Sequence, residues 1–364
     1  MRVICFRQTW GHMSSVSGFN PLADFIRNHC GGGFIDYFVP TDNIRGGLPI
    51  ICGKILSKIY PAKNRTEIAD SPFVTSSDEK IAHDVVRSAL HYPAAMVLLM
   101  SGENQFGANI AKAPESVRSR VILTLHQPPS WLRLHWRDFS TLNGLGAIIC
   151  LSKEQQAFVT SVCNTPTIFL RHGVCHDFFK PSGSLPAQES PRLLFVGQWL
   201  RDFETLADAM EQIWAKRPDV HLDCVIIRQA RNHAALLKLA RDPRVNWHAD
   251  IPPEALRSLY QQASLLFLPM IDAAGNNAVV EALASGLPIV SSLVGGLSDY
   301  LPGGAGELCR VHDVNAHAQA VLLWLPDLER RRQASIIGRE FAERELDWNL
   351  IAAGLVRTLE GGRL

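Results

Sequence analysis

Short apolar runs of strand length recur along the whole chain, separated by stretches in which apolar residues have helical spacing. The runs lack the polar alternation of a strand with one wet face. They therefore predict strands that helices cover on both faces. The runs are Val3–Phe6, Ala95–Met100, Val121–Leu125, Ala147–Leu151, Thr167–Leu170, Leu193–Val196, Leu222–Ile227, Ser264–Leu268 and Pro288–Val290.

The stretch Asp202–Lys216 illustrates the helical spacing. Its apolar residues fall on one face of a helix, as expected for a helix that packs on a sheet. They are Phe203, Leu206, Ala207, Met210, Ile213 and Trp214. Strands and helices that alternate in this way predict parallel sheets with right-handed crossovers, so the fold class is α/β.

One segment interrupts the alternation. Pro181–Pro191 contains three prolines among small polar residues and is typical of an interdomain linker. A chain of 364 residues is long enough for two domains. We predict an N-terminal domain over 1–182, a linker over 183–191 and a C-terminal domain over 192–345. Arg45–Asp78 mixes glycine, basic residues and short apolar pieces, which predicts loop and short helix.

Charge and cysteine content exclude several classes of protein. The 36 basic and 35 acidic residues nearly cancel, so no bulk field favours nucleic acid as a partner. The eight cysteines form no CxxC pair, which excludes common zinc and thioredoxin-type sites. With no signal-peptide pattern and no apolar run of spanning length, we expect reduced thiols in a cytoplasmic protein.

The first candidate site follows the predicted strand Leu193–Val196. Gly197 forms a turn before the helix that starts near Asp202, and helix N-termini bind anions through free backbone N–H groups. Arg201 lies beside this turn and can contact a phosphate with two N–H groups. The alternative is an ordinary turn in which Asp202 caps the helix and Arg201 lies in solvent.

The second candidate site starts where a strand ends at Pro269. A loop that contains Asp272, Gly275, Asn276 and Asn277 leads into the next helix. Either asparagine can cap that helix, and Gly286 is suited to ending it.

Glu281 lies about one turn into this helix, with apolar neighbours nearly all round. A carboxylate in such surroundings needs hydrogen-bonding partners, and ribose hydroxyls are good candidates. The alternative is a solvated helix residue or the partner of a nearby arginine.

Pro269–Val290 resembles the signature of the retaining GT-B glycosyltransferases of family 4, also called group 1. That signature has two glutamates separated by seven residues; the second matches Glu281, whereas the first falls on Ala273. The resemblance implies two Rossmann-like, doubly wound parallel-sheet domains that face each other across a cleft. It also implies that Glu281 binds the donor ribose, and that the loop before it binds the sugar and phosphates.

Further stretches extend the resemblance. Leu193–Leu206 is similar to the family's glycine turn, which implies that Gly197 and Arg201 meet the diphosphate. Val245–Tyr260 is similar to the stretch whose backbone reads the nucleobase. His126 resembles a strand-terminal histidine that faces the donor across the cleft; a capping or loop role is the alternative. Gly18 lies where the family has a glycine loop near the donor phosphates.

Two expectations concern the surfaces of the molecule. The family resemblance implies that the final helix, within 346–364, packs back on the N-terminal domain. Pro128–Trp136 carries two tryptophans, two leucines and basic residues. This stretch is either packed inside or exposed to a lipid-linked acceptor or the inner membrane face, which leaves peripheral membrane contact open.

The resemblance implies transfer of a sugar from a nucleotide-diphosphate sugar to a glycan, lipid-linked or small-molecule acceptor, with retention of configuration. His126 and Arg201 are the expected catalytic residues. We expect no metal and no cofactor beyond the nucleotide sugar. One alternative is a GT-B nucleotide-sugar epimerase, and another is a non-catalytic nucleotide- or glycan-binding subunit of a glycan-synthesis assembly. Homo-oligomers and complexes with other glycosylation proteins stay open.

Overall fold

The computed structural model describes residues 1–9, 15–40, 76–182 and 191–361. They fall into two compact units. The first comprises residues up to 170, apart from Val16–Gly18, together with residues 351–361; the second comprises Val16–Gly18 and Arg171–Leu350. Residues 183–190 and 41–75 lie outside the described residues, so the predicted linker and most of the predicted loop region Arg45–Asp78 stay predictions.

The first unit contains a six-stranded parallel sheet in the order β2-β1-β3-β4-β5-β6. Its strands are β1 (Arg2–Thr9), β2 (Phe34–Pro40), β3 (Ala95–Leu99), β4 (Val121–Leu125), β5 (Ala147–Cys150) and β6 (Thr167–Phe169). Its helices are α1 (Pro21–Cys30), α2 (Ser76–His91), α3 (Gly102–Gln105), α4 (Ala108–Ala111), α5 (Glu115–Arg118), α6 (Pro129–His135) and α7 (Lys153–Val162). Short 3₁₀ helices cover Gly31–Gly33 and Phe139–Leu142.

The second unit contains another six-stranded parallel sheet, in the order β12-β11-β10-β7-β8-β9. Its strands are β7 (Arg192–Val196), β8 (His221–Val225), β9 (Val245–His248), β10 (Leu265–Leu268), β11 (Ile289–Ser292) and β12 (Gly306–Cys309). Its helices are α8 (Phe203–Lys216), α9 (Ala234–Leu239), α10 (Pro253–Gln262), α11 (Asn277–Ala284), α12 (Leu297–Tyr300), α13 (Val314–Trp324) and α14 (Leu328–Glu345), with a 3₁₀ helix over Arg228–Asn232. The last helix, α15 (Trp348–Glu360), begins in this unit, and its residues from 351 on belong to the first.

The two doubly wound sheets confirm the predicted fold class, and each of the nine predicted runs overlaps a strand. Three strands had no predicted run: β2, β9 and β12. All three lie at the edge of a sheet. An edge strand has one unpaired side and is less completely covered, so it does not need a continuous apolar run.

Helix α8 has the predicted amphipathic packing. All six residues of its predicted apolar face are at most 7% exposed, and they belong to the core of the second unit. Asp202 caps the helix by accepting a hydrogen bond from the Thr205 N–H at 2.9 Å. The first unit has a separate core around β1, β3, β4 and β5.

The strand order of the second unit reverses between β7 and β10, which are neighbours although three strands apart in sequence. At such a switch point the loops after the two strands diverge, leaving a crevice at the carboxyl edge of the sheet where ligands of open α/β folds bind. The loops in question follow Val196 and Leu268. They are the two loops that carry the predicted donor-site residues.

Helix α11 ends in a Schellman motif, which confirms the predicted role of Gly286. This glycine has φ +68°. Its N–H donates to the Leu283 carbonyl at 3.0 Å, and the Leu287 N–H donates to the Ala282 carbonyl at 2.8 Å. A Cβ at this position would lie 2.4 Å from the Ser335 hydroxyl oxygen. The left-handed backbone and the close approach both require glycine.

Gly286→Ala is therefore expected to lower the free energy of unfolding by about 1–2 kcal/mol from the left-handed backbone alone, with a further cost from the Ser335 contact. Gly303→Ala is the matched control, because a Cβ there meets nothing within 4 Å. Chemical denaturation of both variants measures the difference. Equal stability of the two variants would contradict the assignment of this helix end.

Candidate functional site

Backbone hydrogen bonds join the loops after β7 and β10. The Asp202 N–H donates to the Pro269 carbonyl at 3.0 Å, and the Ile271 N–H donates to the Leu200 carbonyl at 3.0 Å. Arg201 and Met270 lie opposite each other in this short antiparallel bridge. The two predicted parts of the site are therefore held together at the switch point of the sheet.

Arg201 is folded back over the glycine turn. Its Nε donates to the Val196 carbonyl and its Nη1 to the Trp199 carbonyl, each at 2.9 Å. Gly197 has φ +87°, and a Cβ on it would lie 2.8 Å from Arg201 Nη2. Glycine at 197 therefore provides both the turn and the space for the guanidinium. Sequence reasoning placed both residues here, but not this packing of one on the other.

The Arg201 charge has no carboxylate within 4.0 Å among the described residues, since its hydrogen bonds go to carbonyls and to sulfur. Burial lowers the pKa of Arg201 to about 10, so the side chain is still a cation at neutral pH. Arg201 is half-buried, and a cation that loses part of its hydration without gaining a counter-charge is costly. An anionic ligand such as a phosphate would offset that cost through charge-assisted hydrogen bonds.

The sulfur of Met270 brings Arg201 close to the start of α11. Arg201 Nη1 lies 3.8 Å from the sulfur, and Asn276 Nδ2 lies 3.5 Å from it. Asn276 caps α11, because its Oδ1 accepts from the Val279 N–H at 3.3 Å. The first N–H groups of a helix have no partner within it and form the positive end of its dipole. A guanidinium and a helix N-terminus therefore meet at one place.

Glu281 lies in α11 and is 3% exposed. Its carboxylate accepts a hydrogen bond from the Tyr260 hydroxyl at 2.9 Å and another from the Ser17 hydroxyl. Ser17 belongs to Val16–Gly18, the stretch that groups with this unit. Among the described residues Glu281 forms no ion pair, so the alternative of an arginine partner is not what the structure shows.

Burial raises the pKa of Glu281 to about 7, although the hydrogen bonds from Ser17 and Tyr260 act to lower it. A carboxylate has about four lone-pair positions, of which these hydroxyls use two. The two that are left can accept from the two neighbouring hydroxyls of a ribose.

The loop before α11 has a rigid base. Asp272 Oδ1 accepts from the Ala273 N–H at 2.7 Å, and the Ala273 carbonyl accepts from the Gly296 N–H at 2.8 Å. Ala273, which stands at the position of the family's first glutamate, is 2% exposed. Gly275 is half-buried, and Asn277 is exposed at the first position of the helix. Of the two asparagines proposed as the cap, Asn276 takes that role.

His126 lies in the first unit, directly after β4. Its Nε2 donates to the Met100 carbonyl at 2.7 Å, because a carbonyl can only accept. The buried carboxylate of Glu103 accepts from the backbone N–H groups of His126 and of Gln127, the latter at 2.7 Å. The ring of Phe19 meets the imidazole edge to face at 4.8 Å. The imidazole is thereby fixed in orientation.

Gly18 is buried and has φ +84°, so its backbone conformation is one that favours glycine. The expectation that its backbone lies close to the donor phosphates stays a prediction. Residues 10–14 of the loop after β1 lie outside the described residues.

The tryptophan-rich stretch Pro128–Trp136 is mainly packed inside. Trp131 and Trp136 are 8% and 3% exposed, whereas Leu134 is 76% exposed. Packing therefore accounts for the tryptophans of this stretch. No helix of the described residues is both long and apolar enough to cross a membrane.

Sequence reasoning missed several residues of the site. Tyr260 was included only as the end of a stretch similar to the base-reading segment, and Ser17, Met270 and Glu103 were not singled out. Their contacts depend on residues far apart in sequence, and no local spacing reports them. Within the described ranges no group of three or more His, Cys, Asp or Glu side chains could hold a metal ion.

Comparison with known proteins links the second unit to one family. The model of the family described as glycosyl transferases group 1 matches residues 190–327. A D-inositol 3-phosphate glycosyltransferase of Nocardia farcinica is 29% identical over 184 residues, which cover 47% of this chain and 41% of that protein. The chain spans less than half the length of the curated relatives it matches.

Solved structures are similar over nearly the whole chain. Sucrose-phosphate synthase from Thermosynechococcus elongatus has a TM-score of 0.73 at 19% identity and covers 99% of both chains. HepE from Anabaena, in complex with UDP and glucose, has a TM-score of 0.72 at 16% identity and covers 99% of this chain and 100% of its own. These similarities confirm the predicted GT-B fold.

Glu281→Gln is expected to raise the stability of the protein above pH 7. The pKa of Glu281 is higher in the folded state than in the unfolded chain. The free energy of unfolding therefore falls as the pH rises from 4.5 to about 7. At about 1.4 kcal/mol per unit, the cost at pH 8 is at most about 3 kcal/mol. A glutamine side chain avoids this cost because it is neutral: its carbonyl oxygen accepts from one of the two hydroxyls, and its amide N–H donates to the oxygen of the other.

Thermal melts at pH 5 and pH 8 measure the effect. We expect a melting temperature a few degrees above that of the wild type at pH 8 and a smaller difference at pH 5. A melting temperature lowered at pH 8 would mean that the Glu281 charge stabilises the fold, which contradicts its assignment as a residue kept for a ligand.

Proposed function

We propose that the protein is a glycosyltransferase that uses a nucleotide-diphosphate sugar as donor, and the match of residues 190–327 to the model of the glycosyl transferases group 1 family supports this. One observation carries the proposal. Two oppositely charged side chains, the half-buried Arg201 and the buried Glu281, lie at the switch point of the second unit, and neither has a charged partner among the described residues. A nucleoside diphosphate carries the groups that suit both.

The diphosphate is the ligand for Arg201 and for the start of α11. Arg201 supplies N–H groups from a fixed plane, and α11 supplies backbone N–H groups at the positive end of its dipole. Gly197, in the turn after β7, and Gly275, in the loop before α11, allow a ligand to approach the backbone closely. As the bond from sugar to phosphate breaks, negative charge grows on the leaving diphosphate. Arg201 stabilises that charge, which makes it the electrostatic catalyst of the reaction.

The ribose is the ligand for Glu281. Its two remaining acceptor positions match a pair of neighbouring hydroxyls, and hydrogen bonds to an ionised group are worth about 1.5–3 kcal/mol each. Asp272 and Asn277, in the loop before and at the start of α11, are the side chains we assign to the donor sugar. Ala273 has no acceptor there, so this sugar is held by fewer side-chain contacts than the two-glutamate signature provides.

His126 is the residue we assign to the donor from the first unit. Its Nε2–H is used by the Met100 carbonyl, which leaves Nδ1 for a ligand. No side-chain nucleophile is needed if the leaving diphosphate takes the proton of the acceptor hydroxyl, and this mechanism retains the configuration of the sugar. The acceptor class we propose, a phosphorylated polyol or a lipid-linked form of one, rests on the names of the relatives.

We further propose that turnover needs no added metal, because Arg201 and the helix N-terminus supply positive charge to the diphosphate. The test is to incubate the full chain with UDP-glucose or GDP-mannose, with and without inositol phosphate, in EDTA and in manganese. Release of nucleoside diphosphate that depends on acceptor and persists in EDTA is expected. A changed sugar with no transfer would indicate an epimerase, binding without turnover a non-catalytic subunit, and loss of turnover in EDTA a metal site.

Arg201→Gln is expected to weaken binding of the nucleoside diphosphate by about ten- to a hundredfold, because a charge-assisted pair of bonds is lost at 1.4 kcal/mol per factor of ten. Uridine without phosphate should bind both proteins equally. Arg217→Gln is the control, since Arg217 pairs with Asp219 at the opposite end of α8. Calorimetric titration measures the affinities, and an equal loss for uridine and UDP would contradict the assignment of Arg201 to the diphosphate.

A further inference from the structure

We propose that Tyr260 is a positioning residue of the donor site, whose buried hydroxyl holds the Glu281 carboxylate in the orientation and ionised form that accept ribose hydroxyls. This inference rests on the proposed function, and it goes beyond it because the comparisons assign no such role to Tyr260. Tyr260 itself does not contact the donor in this account. It acts through Glu281.

The geometry fixes Tyr260 firmly. It lies in the last turn of α10, is 1% exposed, and its ring packs edge to face on Phe179 at 5.8 Å. Its hydroxyl donates to Glu281 Oε2 at 2.9 Å. An aromatic side chain has only two rotatable bonds, so a packed ring places its hydroxyl with little freedom. The carboxylate oxygen that it binds is thereby fixed as well.

The bond also sets the charge of Glu281. A hydroxyl that donates to a carboxylate favours the ionised form, and burial favours the neutral form. Burial, followed by the charge of Glu281, holds the pKa of Tyr260 well above its usual value, so the phenol keeps its proton and donates at any ordinary pH. Removal of this hydroxyl leaves Ser17 as the one described group that opposes burial, and the pKa of Glu281 is then expected to rise above about 7.

Few other charges of the described residues bear on the pair. Arg201 acts on Tyr260 and lowers the pKa of the phenol. Arg257 of α10 lies over the ring of Phe178, 4.6 Å from its centroid. From α14, Arg339 donates to the Ala284 carbonyl at the far end of α11. Neither Arg257 nor Arg339 is among the groups that shift the pKa of Glu281.

The first measurement needs no ligand. The full chain is labelled with ¹³C at the glutamate side-chain carboxyls, and the Glu281 signal is identified by its loss in Glu281→Gln. Its titration is followed in the wild type, in Tyr260→Phe and in Tyr300→Phe. Tyr300 is the control because it is a fully buried tyrosine of the same unit whose hydroxyl oxygen accepts from the His172 N–H at 2.8 Å.

The expected result is a pKa of Glu281 about one unit higher in Tyr260→Phe, and the wild-type value in Tyr300→Phe. If the role of Tyr260 were only structural, both variants would melt at a lower temperature than the wild type, and the pKa of Glu281 would be unchanged in both. An unchanged pKa in Tyr260→Phe overturns the inference.

The second measurement is the affinity for UDP from pH 6 to pH 9. In Tyr260→Phe it should fall about fivefold at pH 7 and almost tenfold at pH 6, and it should recover most of that loss at pH 9, where Glu281 is ionised again. Tyr300→Phe should follow the wild type throughout. A loss of the same size at every pH overturns the inference, because the hydroxyl would then not act through the charge of Glu281.

Failure of the wild type to bind UDP or GDP at any pH contradicts the proposed function itself, and this is seen before any variant is compared.

Discussion

A charge that is wholly or partly withdrawn from water, with no opposite charge beside it, is the constraint on which the site in the second unit depends. Such a group costs free energy, and a fold tolerates it when hydrogen bonds or a ligand compensate. In the second unit Arg201 is held by backbone carbonyls and Glu281 by two hydroxyls. Polar groups orient both charges, and among the described residues nothing neutralises either of them.

The topology of the sheet explains why these charges share one region. The strand order reverses between β7 and β10, and the loops after these strands are joined by backbone hydrogen bonds. This joining sets Arg201 against Met270, and the Met270 sulfur contacts Asn276 at the start of α11. Glu281 follows one turn later on the same helix. A short and rigid path therefore links a site for phosphate with a site for ribose.

The sequence was sufficient to predict the interior of the fold, because strands covered on both faces must be apolar throughout. It did not predict β2, β9 or β12, since strands at the edge of a sheet are free of that requirement. The same division holds for the site. Gly197, Asn276, Glu281 and Gly286 follow from local spacing, because turns, caps and helix ends are made by neighbours in the chain.

Contacts between distant residues escaped prediction. The bond from Tyr260 to Glu281 joins α10 to α11, and the contact of Arg201 with Met270 joins two loops that are 69 positions apart in the chain. A helical pattern reports only that Tyr260 faces inward. Which polar atom it meets there depends on how α10 packs, and this is a property of the folded unit.

The central claim is that one ligand satisfies both charges. Calorimetric titration of the wild-type chain with UDP, 2′-deoxy-UDP and inorganic pyrophosphate tests it most directly. We expect that UDP binds most tightly, that loss of the 2′-hydroxyl weakens binding about tenfold, and that pyrophosphate competes with UDP for the same site. Equal affinity for UDP and 2′-deoxy-UDP, together with pyrophosphate that binds without displacing UDP, would contradict it.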